Sequence, residues 1–351
     1  MSKRIAFCFD GTWQAPLNGT NVYRLYKALT VNSDQVTYYD DGVGADATGL
    51  NRILQGAFGA GLLQKIQDAY TKIAHVYEEG DDIYLFGFSR GAYTARSLAG
   101  MIANCGLPRG SFTDDCVAKA FAAYRDKDNR ASILAGLGPC GLADVSLRMV
   151  GVWDTVGSLG IPAIFGAVDL KNYGFLDTGL HPDVKNAYHA LAIDEKRDQF
   201  PATLWTGDPA PGQTIEQIWF CGCHSDVGGG TPPGAGVDGS TRLCDITLGW
   251  MMSKAQALGL SFDPTVYAQF QNLAPEVALD KINESWAPQD GPQHIRPIVA
   301  SSSVSNSVAV RVQYADGDYA PANLAITDGA LANTYAMVAL VDAGAGAAVV
   351  T

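Results

Sequence analysis

Basic residues are in short supply. Lysine and arginine number 24 against 36 aspartates and glutamates, which leaves a formal net charge of −12. A surplus of that sign disfavours nucleic acid, or an anionic membrane held by bulk electrostatics, as a partner. Long apolar runs are missing as well, and none reaches the length of a membrane-spanning helix. Met1-Ser2-Lys3-Arg4 passes straight into a strand-like run with no room for a signal peptide, so a cytoplasmic protein is expected. The seven cysteines are odd in number and have no C-x-x-C spacing. Free buried thiols are therefore expected, and Cys221 and Cys223 read as alternation along a strand rather than as a metal or redox pair. No internal repeat is found. The glycine-rich GAFGAG at 56–61 lacks both the G-x-G-x-x-G spacing and the lysine of a phosphate loop. Neither a cofactor nor a metal is assigned. Histidine is rarest of all, with five in the chain, so a general base has few candidates.

What is present points to a globular enzyme. A chain of 351 residues with 47% hydrophobic and 17% charged content suits one large α/β domain spanning 1–351. Its organising stretch is 80–106. Gly80-Asp81-Asp82 marks a turn, and Ile83-Tyr84-Leu85-Phe86 suits a buried strand. Gly87-Phe88-Ser89-Arg90-Gly91 then fits G-x-S-x-G, and Ala92, Ala95, Leu98, Ala99 and Ile102 recur at helical spacing. Strand, tight turn and helix are the setting that the nucleophile elbow of an α/β-hydrolase needs, with Ser89 at its apex. Glycines at 87 and 91 keep side chains out of a crowded turn, and the N–H of Arg90 at the helix start is a candidate oxyanion donor.

Around this stretch the chain reads as alternating strands and helices. Arg4 to Phe9 is a buried strand ending at Asp10-Gly11-Thr12; the N–H groups of Gly11 and Thr12 are further oxyanion candidates, unless Asp10 and Thr12 only close a turn. Asn21 to Leu29 reads as a helix and Gln35 to Tyr39 as a strand. A helix through Leu62, Ile66, Ala69 and Tyr70 carries His75. Asp114 to Arg130 is an amphipathic helix, and Leu147 to Trp153 is a strand ending at Asp154. Residues 158–182 read as an apolar cap or lid insertion, or as a packed loop. Val184 to Arg197 reads as a helix carrying His189. Strands at Ala202 to Trp205 and Ile215 to Cys221 follow, the second delivering His224, Asp226 and three glycines. Asp245 to Leu258 reads as a helix, and 288–351 as edge strands or a wrapping C-terminal segment.

A serine nucleophile needs a base and an orienting acid, which follow it in the order Ser, acid, His on loops after later strands. Ser89, Asp154 and His224 satisfy order and placement. His189 is the second candidate base, and Asp10 and Asp226 are further candidate acids.

The blocks FDGTW, GFSRGAYTAR, VWDTVGSLG, HALAIDEKR and CHSDVGGG stand in this order between about Ile5 and Leu324. In this the chain resembles the uncharacterised α/β-hydrolase-like family that includes the first group of type VI secretion lipase effectors. The resemblance implies an α/β-hydrolase-like fold, with a mostly parallel central sheet flanked by helices and cap-like insertions. It also implies esterase or phospholipase chemistry on an ester or lipid substrate, with Ser89, Asp154 and His224 at the triad positions. A transient membrane contact, and a secretion-system or immunity partner, stay open. Two readings compete: a metal-dependent phosphohydrolase using Asp10, Asp41, Asp154 and Asp226, and a non-catalytic binding protein on a hydrolase shell.

Overall fold

The structure is a computed structural model that describes residues 2–11, 19–42, 58–137, 142–143, 145–156, 179–230, 243–315 and 318–340. Eight strands form one sheet: β1 (Arg4–Phe9), β2 (Gln35–Asp40), β3 (Asp82–Phe88), β4 (Leu147–Trp153), β5 (Asn186–Ala192), β6 (Thr214–Phe220), β7 (Ser303–Ser305) and β8 (Ala336–Val338). Their order is β8-β7-β6-β5-β4-β3-β1-β2, and every pairing in the sheet is parallel. The described helices are α1 (Asn21–Ala28), α2 (Phe58–Val76), α3 (Arg90–Cys105), α4 (Asp114–Arg125), α5 (Arg130–Ala135), α6 (His224–Gly228), α7 (Leu243–Ala257), α8 (Pro264–Ala268) and α9 (Asn306–Tyr314).

A parallel sheet must be covered on both faces, and its central strands therefore read as continuous apolar runs. The core accordingly divides in two. On one face Ala6, Tyr84 and Trp219 pack with Val22 and Leu25 of α1, Met251 of α7 and Val308 of α9. On the other, Ile5, Leu85 and Val150 pack with Ile66 of α2, Leu98 of α3 and Phe121 of α4. The chain runs from β1 to the edge strand β2, then crosses to β3 on the other side of β1. That reversal opens a crevice at the carboxyl ends of β1 and β3, where open α/β sheets bind ligands. Asp10 and Ser89 follow those two ends.

Four expectations are corrected. Residues 184–197 are not helical: Asn186–Ala192 is β5, buried between β4 and β6, and His189 sits mid-strand. Its Ala-rich run has good helix propensity, but a run this short takes its state from tertiary pairing. Ala202 to Trp205 is not a strand; only Ala202 forms a bridge, to Val156. The helix expected over 114–130 breaks after Arg125, because both Asp126 carboxylate oxygens accept from Asn129 and turn the chain. The segment after Pro288 holds a helix, α9, besides the strands β7 and β8. Of the cap expected at 158–182, only 179–182 lie within the described residues.

The thiol expectation is corrected in part. Cys8, Cys105, Cys221, Cys223 and Cys244 are free and buried, whereas Cys116 is disulfide-bonded. Burial pushes the Cys221 and Cys223 thiols up to about 12, so both are protonated at neutral pH.

Candidate active site

Ser89 sits between β3 and α3 with φ 58° and ψ −124°, a backbone conformation a non-glycine residue adopts only under strain. The turn leaves no space at its flanking glycines. A Cβ on Gly87 would lie 2.5 Å from the Gly91 carbonyl oxygen, and one on Gly91 would lie 2.3 Å from that of Phe9. The Ser89 N–H donates to the Trp153 carbonyl at 3.0 Å, tying the turn to the end of β4. Its side chain makes no capping bond to α3, so the hydroxyl stands at the helix start uncommitted to the helix. Arg90 opens α3, so its N–H lies in the first turn of the helix, at the positive end of the helix dipole.

One residue beyond Trp153, Asp154 is fully buried and also carries a positive φ, of 38°. Its Oδ2 lies 2.5 Å from His224 Nδ1, and its Oδ1 accepts from the Ala192 N–H at 3.0 Å. Arg296 closes on the same carboxylate, with Nη1 2.7 Å from Oδ1 and Nη2 3.0 Å from Oδ2. Burial disfavours the ionised carboxyl, but the Arg296 guanidinium and His224 outweigh it and hold Asp154 well below the usual carboxylate range. Because Nδ1 of His224 is committed to Asp154, Nε2 is the nitrogen left for a hydroxyl.

His224 is the first residue of α6 rather than a loop residue. Asp226 caps that helix by accepting from the Cys223 N–H at 3.0 Å, and it also accepts from Asn283 through both its backbone and its side chain. The His224 N–H donates to Glu195 Oε2 at 3.2 Å. Burial opposes ionisation of Glu195, yet bonds from Arg197 and the proximity of His224 bring it down to about 2. The imidazole lies between two rings, Phe88 at 4.5 Å and Phe200 at 5.0 Å between centroids.

The remaining candidates have other employment. Asp10 accepts from Thr20 Oγ1 at 2.6 Å, Tyr39 Oη at 2.7 Å and the Gly11 N–H at 2.7 Å. It thus binds the end of β1 to the start of α1 and to β2. Gly11 spends its N–H on Asp10, which removes it as an oxyanion donor, and Thr12 lies outside the described residues. His189 is wholly buried, and burial together with the Arg96 guanidinium pushes it down to about 3. Its neutral ring accepts the Thr155 N–H at Nε2, 3.1 Å away, so it supports the chain just after Asp154. The carboxylates of the metal-dependent alternative do not converge. Asp41 faces Lys65, Asp154 faces Arg296 and Asp226 caps α6. No group of three or more His, Cys, Asp or Glu among the described residues is arranged to hold a metal ion.

Sequence reasoning missed Arg296 and Glu195. Glu195 lies in the HALAIDEKR block, where an acid beside two cations was the available signal. Arg296 stands in a proline-flanked stretch with no local signature.

The family model of the catalytic domain of T6SS Tle1-like phospholipase effectors matches residues 3–254. The chain belongs to this Tle1-like family. The matched stretch holds Ser89, Asp154 and His224 and stops before Arg296. The uncharacterised protein YEL023C of Saccharomyces cerevisiae is 31% identical over 235 residues, covering 59% of this chain and 33% of the yeast protein. A crystal structure of an uncharacterised Pseudomonas aeruginosa protein aligns at 18% identity with a TM-score of 0.48, covering 79% of this chain and 50% of that one. The Tle1-like chain thus spans about a third of the yeast relative and half of the Pseudomonas protein. Among the described residues no helix is long and apolar enough to cross a membrane.

Proposed function

We propose that the protein hydrolyses carboxylic esters, with lipid acyl esters as its substrate class, through Ser89, His224 and Asp154. The observation that carries this reading is the 2.5 Å contact between Asp154 Oδ2 and His224 Nδ1 beside a serine held in a strained elbow. His224 Nε2 takes the Ser89 proton as the hydroxyl attacks the ester carbonyl. The charge that develops on the carbonyl oxygen is met by the Arg90 N–H and the positive end of α3. Nε2 then protonates the leaving alcohol, and water, activated by the same nitrogen, releases the acid from the acyl-enzyme. Asp154, kept anionic, holds the imidazole in one tautomer and balances its charge when it is protonated. Membership in a phospholipase effector family supports lipid esters over other esters, and by the same argument a secretion-system or immunity partner.

The deciding experiment is labelling with a fluorophosphonate, followed by mass-spectrometric mapping of the modified residue. Adduct on Ser89 with matching loss of ester turnover is the expected result. A fully active protein with no adduct on Ser89 overturns the reading.

A further inference from the structure

Arg296 is 1% exposed and contributes four hydrogen bonds. Besides its two bonds to Asp154, Nη1 donates to the Ala192 carbonyl at 2.8 Å and Nη2 to the Phe200 carbonyl at 2.7 Å. Its backbone is fixed as well. Asn323 Nδ2 donates to the Arg296 and Ile193 carbonyls, His294 N–H to the Lys196 carbonyl, and Gln293 bridges to Arg197. The guanidinium is therefore built in place by a segment that begins after the family match ends at residue 254.

We propose that Arg296 is a positioning residue for the hydrolytic site: it clamps both oxygens of Asp154 so that Oδ2 meets His224 Nδ1, and its buried charge keeps the Asp154 carboxylate ionised. The inference rests on the Ser89–His224–Asp154 reading. A planar guanidinium donating in parallel to both oxygens fixes a carboxylate's orientation in a way that a single contact cannot. A buried carboxylate and imidazole without a neighbouring cation take up a proton readily, because the protonated pair is the less costly state in a poorly solvated site. A fixed cation against the carboxylate opposes that uptake.

The other groups facing the dyad do not supply such a charge. Glu195 contacts the backbone of His224, but its own charge is met by Arg197 at 2.8 Å. His189 on β5 is held neutral, and Arg96 of α3 is engaged with the Thr203 carbonyl and the Trp205 ring. Phe88 and Phe200 are uncharged. Asp226, on the same helix as His224, is spent on Cys223 and Asn283, and burial keeps the Cys223 thiol neutral.

The test compares wild type, Arg296→Gln and Arg296→Lys in the full chain, measuring kcat and KM for a soluble p-nitrophenyl ester across pH 5–9, with Ser89→Ala alongside. For Arg296→Gln the expected result is a loss of roughly tenfold or more in kcat, KM within about twofold, and an acidic limb of kcat/KM moved up by about one pH unit. Arg296→Lys keeps the cation but not the two-point clamp, so the limb should stay in place while kcat falls. If Arg296→Gln does not fold, the decision rests on Arg296→Lys. Wild-type kcat in that variant, or in a folded Arg296→Gln with an unmoved limb, overturns the proposal. Full turnover by Ser89→Ala sinks the triad and this inference with it. A Ser89-dependent reaction indifferent to Arg296 sinks the inference alone.

Discussion

Phe88 packs its ring 4.5 Å from the imidazole of His224, and Phe88 is the residue directly before Ser89. The strand that carries the nucleophile candidate therefore sets the position of the candidate base through one side chain, although 136 positions separate Phe88 from His224. The same ring leaves no space at Gly228 on the far end of α6. Three elements, β3, α6 and the end of β4, thus converge on a few side chains, and each can be perturbed separately.

Ser89→Ala should abolish ester turnover, by on the order of 1,000-fold or more, without loss of fold. The side chain makes no capping bond, so alanine removes little packing. Turnover on p-nitrophenyl butyrate and a thermal melt, run on the same preparation, check both halves. Wild-type turnover from a well-folded variant would mean another nucleophile.

The two histidines should separate cleanly. His224→Ala is expected to lose turnover on the scale of the serine variant, because the hydroxyl is a weak nucleophile without proton removal. His189→Ala instead leaves the buried Thr155 N–H, two residues past the end of β4, without its acceptor. An unmet buried donor costs about 1–3 kcal/mol, so a lowered melting temperature is expected, with turnover per folded molecule within roughly tenfold. A dead His189→Ala beside an active His224→Ala reassigns the base.

Much of this site was legible because its signals are local. G-x-S-x-G needs only five neighbouring residues, and β1, β3 and β4 announce themselves as runs of Phe, Ile, Leu and Val that end in an acid or serine. The unread parts depend on distant residues. Nothing within Ala187 to Ala192 shows that β4 and β6 will flank it, so its alanines suggested a helix and misplaced His189. Arg296 pairs with Asp154 across 142 positions, and a contact of that range leaves no spacing to read. The stretch after Pro288, rich in Ser, Pro and Ala and poor in charge, reads as edge strands or a wrapping tail, yet 306–314 is α9. Its Ser305 cap, accepting the Ser307 N–H at 3.2 Å, was the overlooked helix signal.

Asp10 supplies a pH test. Burial pushes its carboxyl up to about 6 from 3.8, against the three hydrogen bonds that it accepts. A folded-state value above the unfolded one means the folded protein binds the proton more tightly. The associated stability is fully present below about pH 4 and is lost as pH rises through 6. Asp10→Asn cannot titrate, so the melting temperature of wild type relative to this variant should fall between pH 4 and 6 and level off above. A difference that stays flat across pH 4–8 would show that the carboxyl does not titrate in that window.

Gly228→Ala tests the link between Phe88 and His224. Helix propensity alone favours alanine over glycine in α6 by up to about 1 kcal/mol. The steric term opposes it, since a Cβ on Gly228 would stand 2.0 Å from Cε2 and 2.2 Å from Cδ2 of Phe88. Phe88 is 2% exposed and cannot swing into solvent, so the ring must shift within a packed core. Overpacking of this kind costs about 1–3 kcal/mol and exceeds the propensity gain, which makes Gly228→Ala destabilising. The shifted ring also loses its seat against the imidazole, and kcat should fall with it. Phe88→Leu removes the clashing ring atoms, so Gly228→Ala should cost less stability in a Phe88→Leu background than in wild type. Thermal or urea melts of the four proteins give the coupling directly. Additive costs would mean that the ring and the helix do not meet as described.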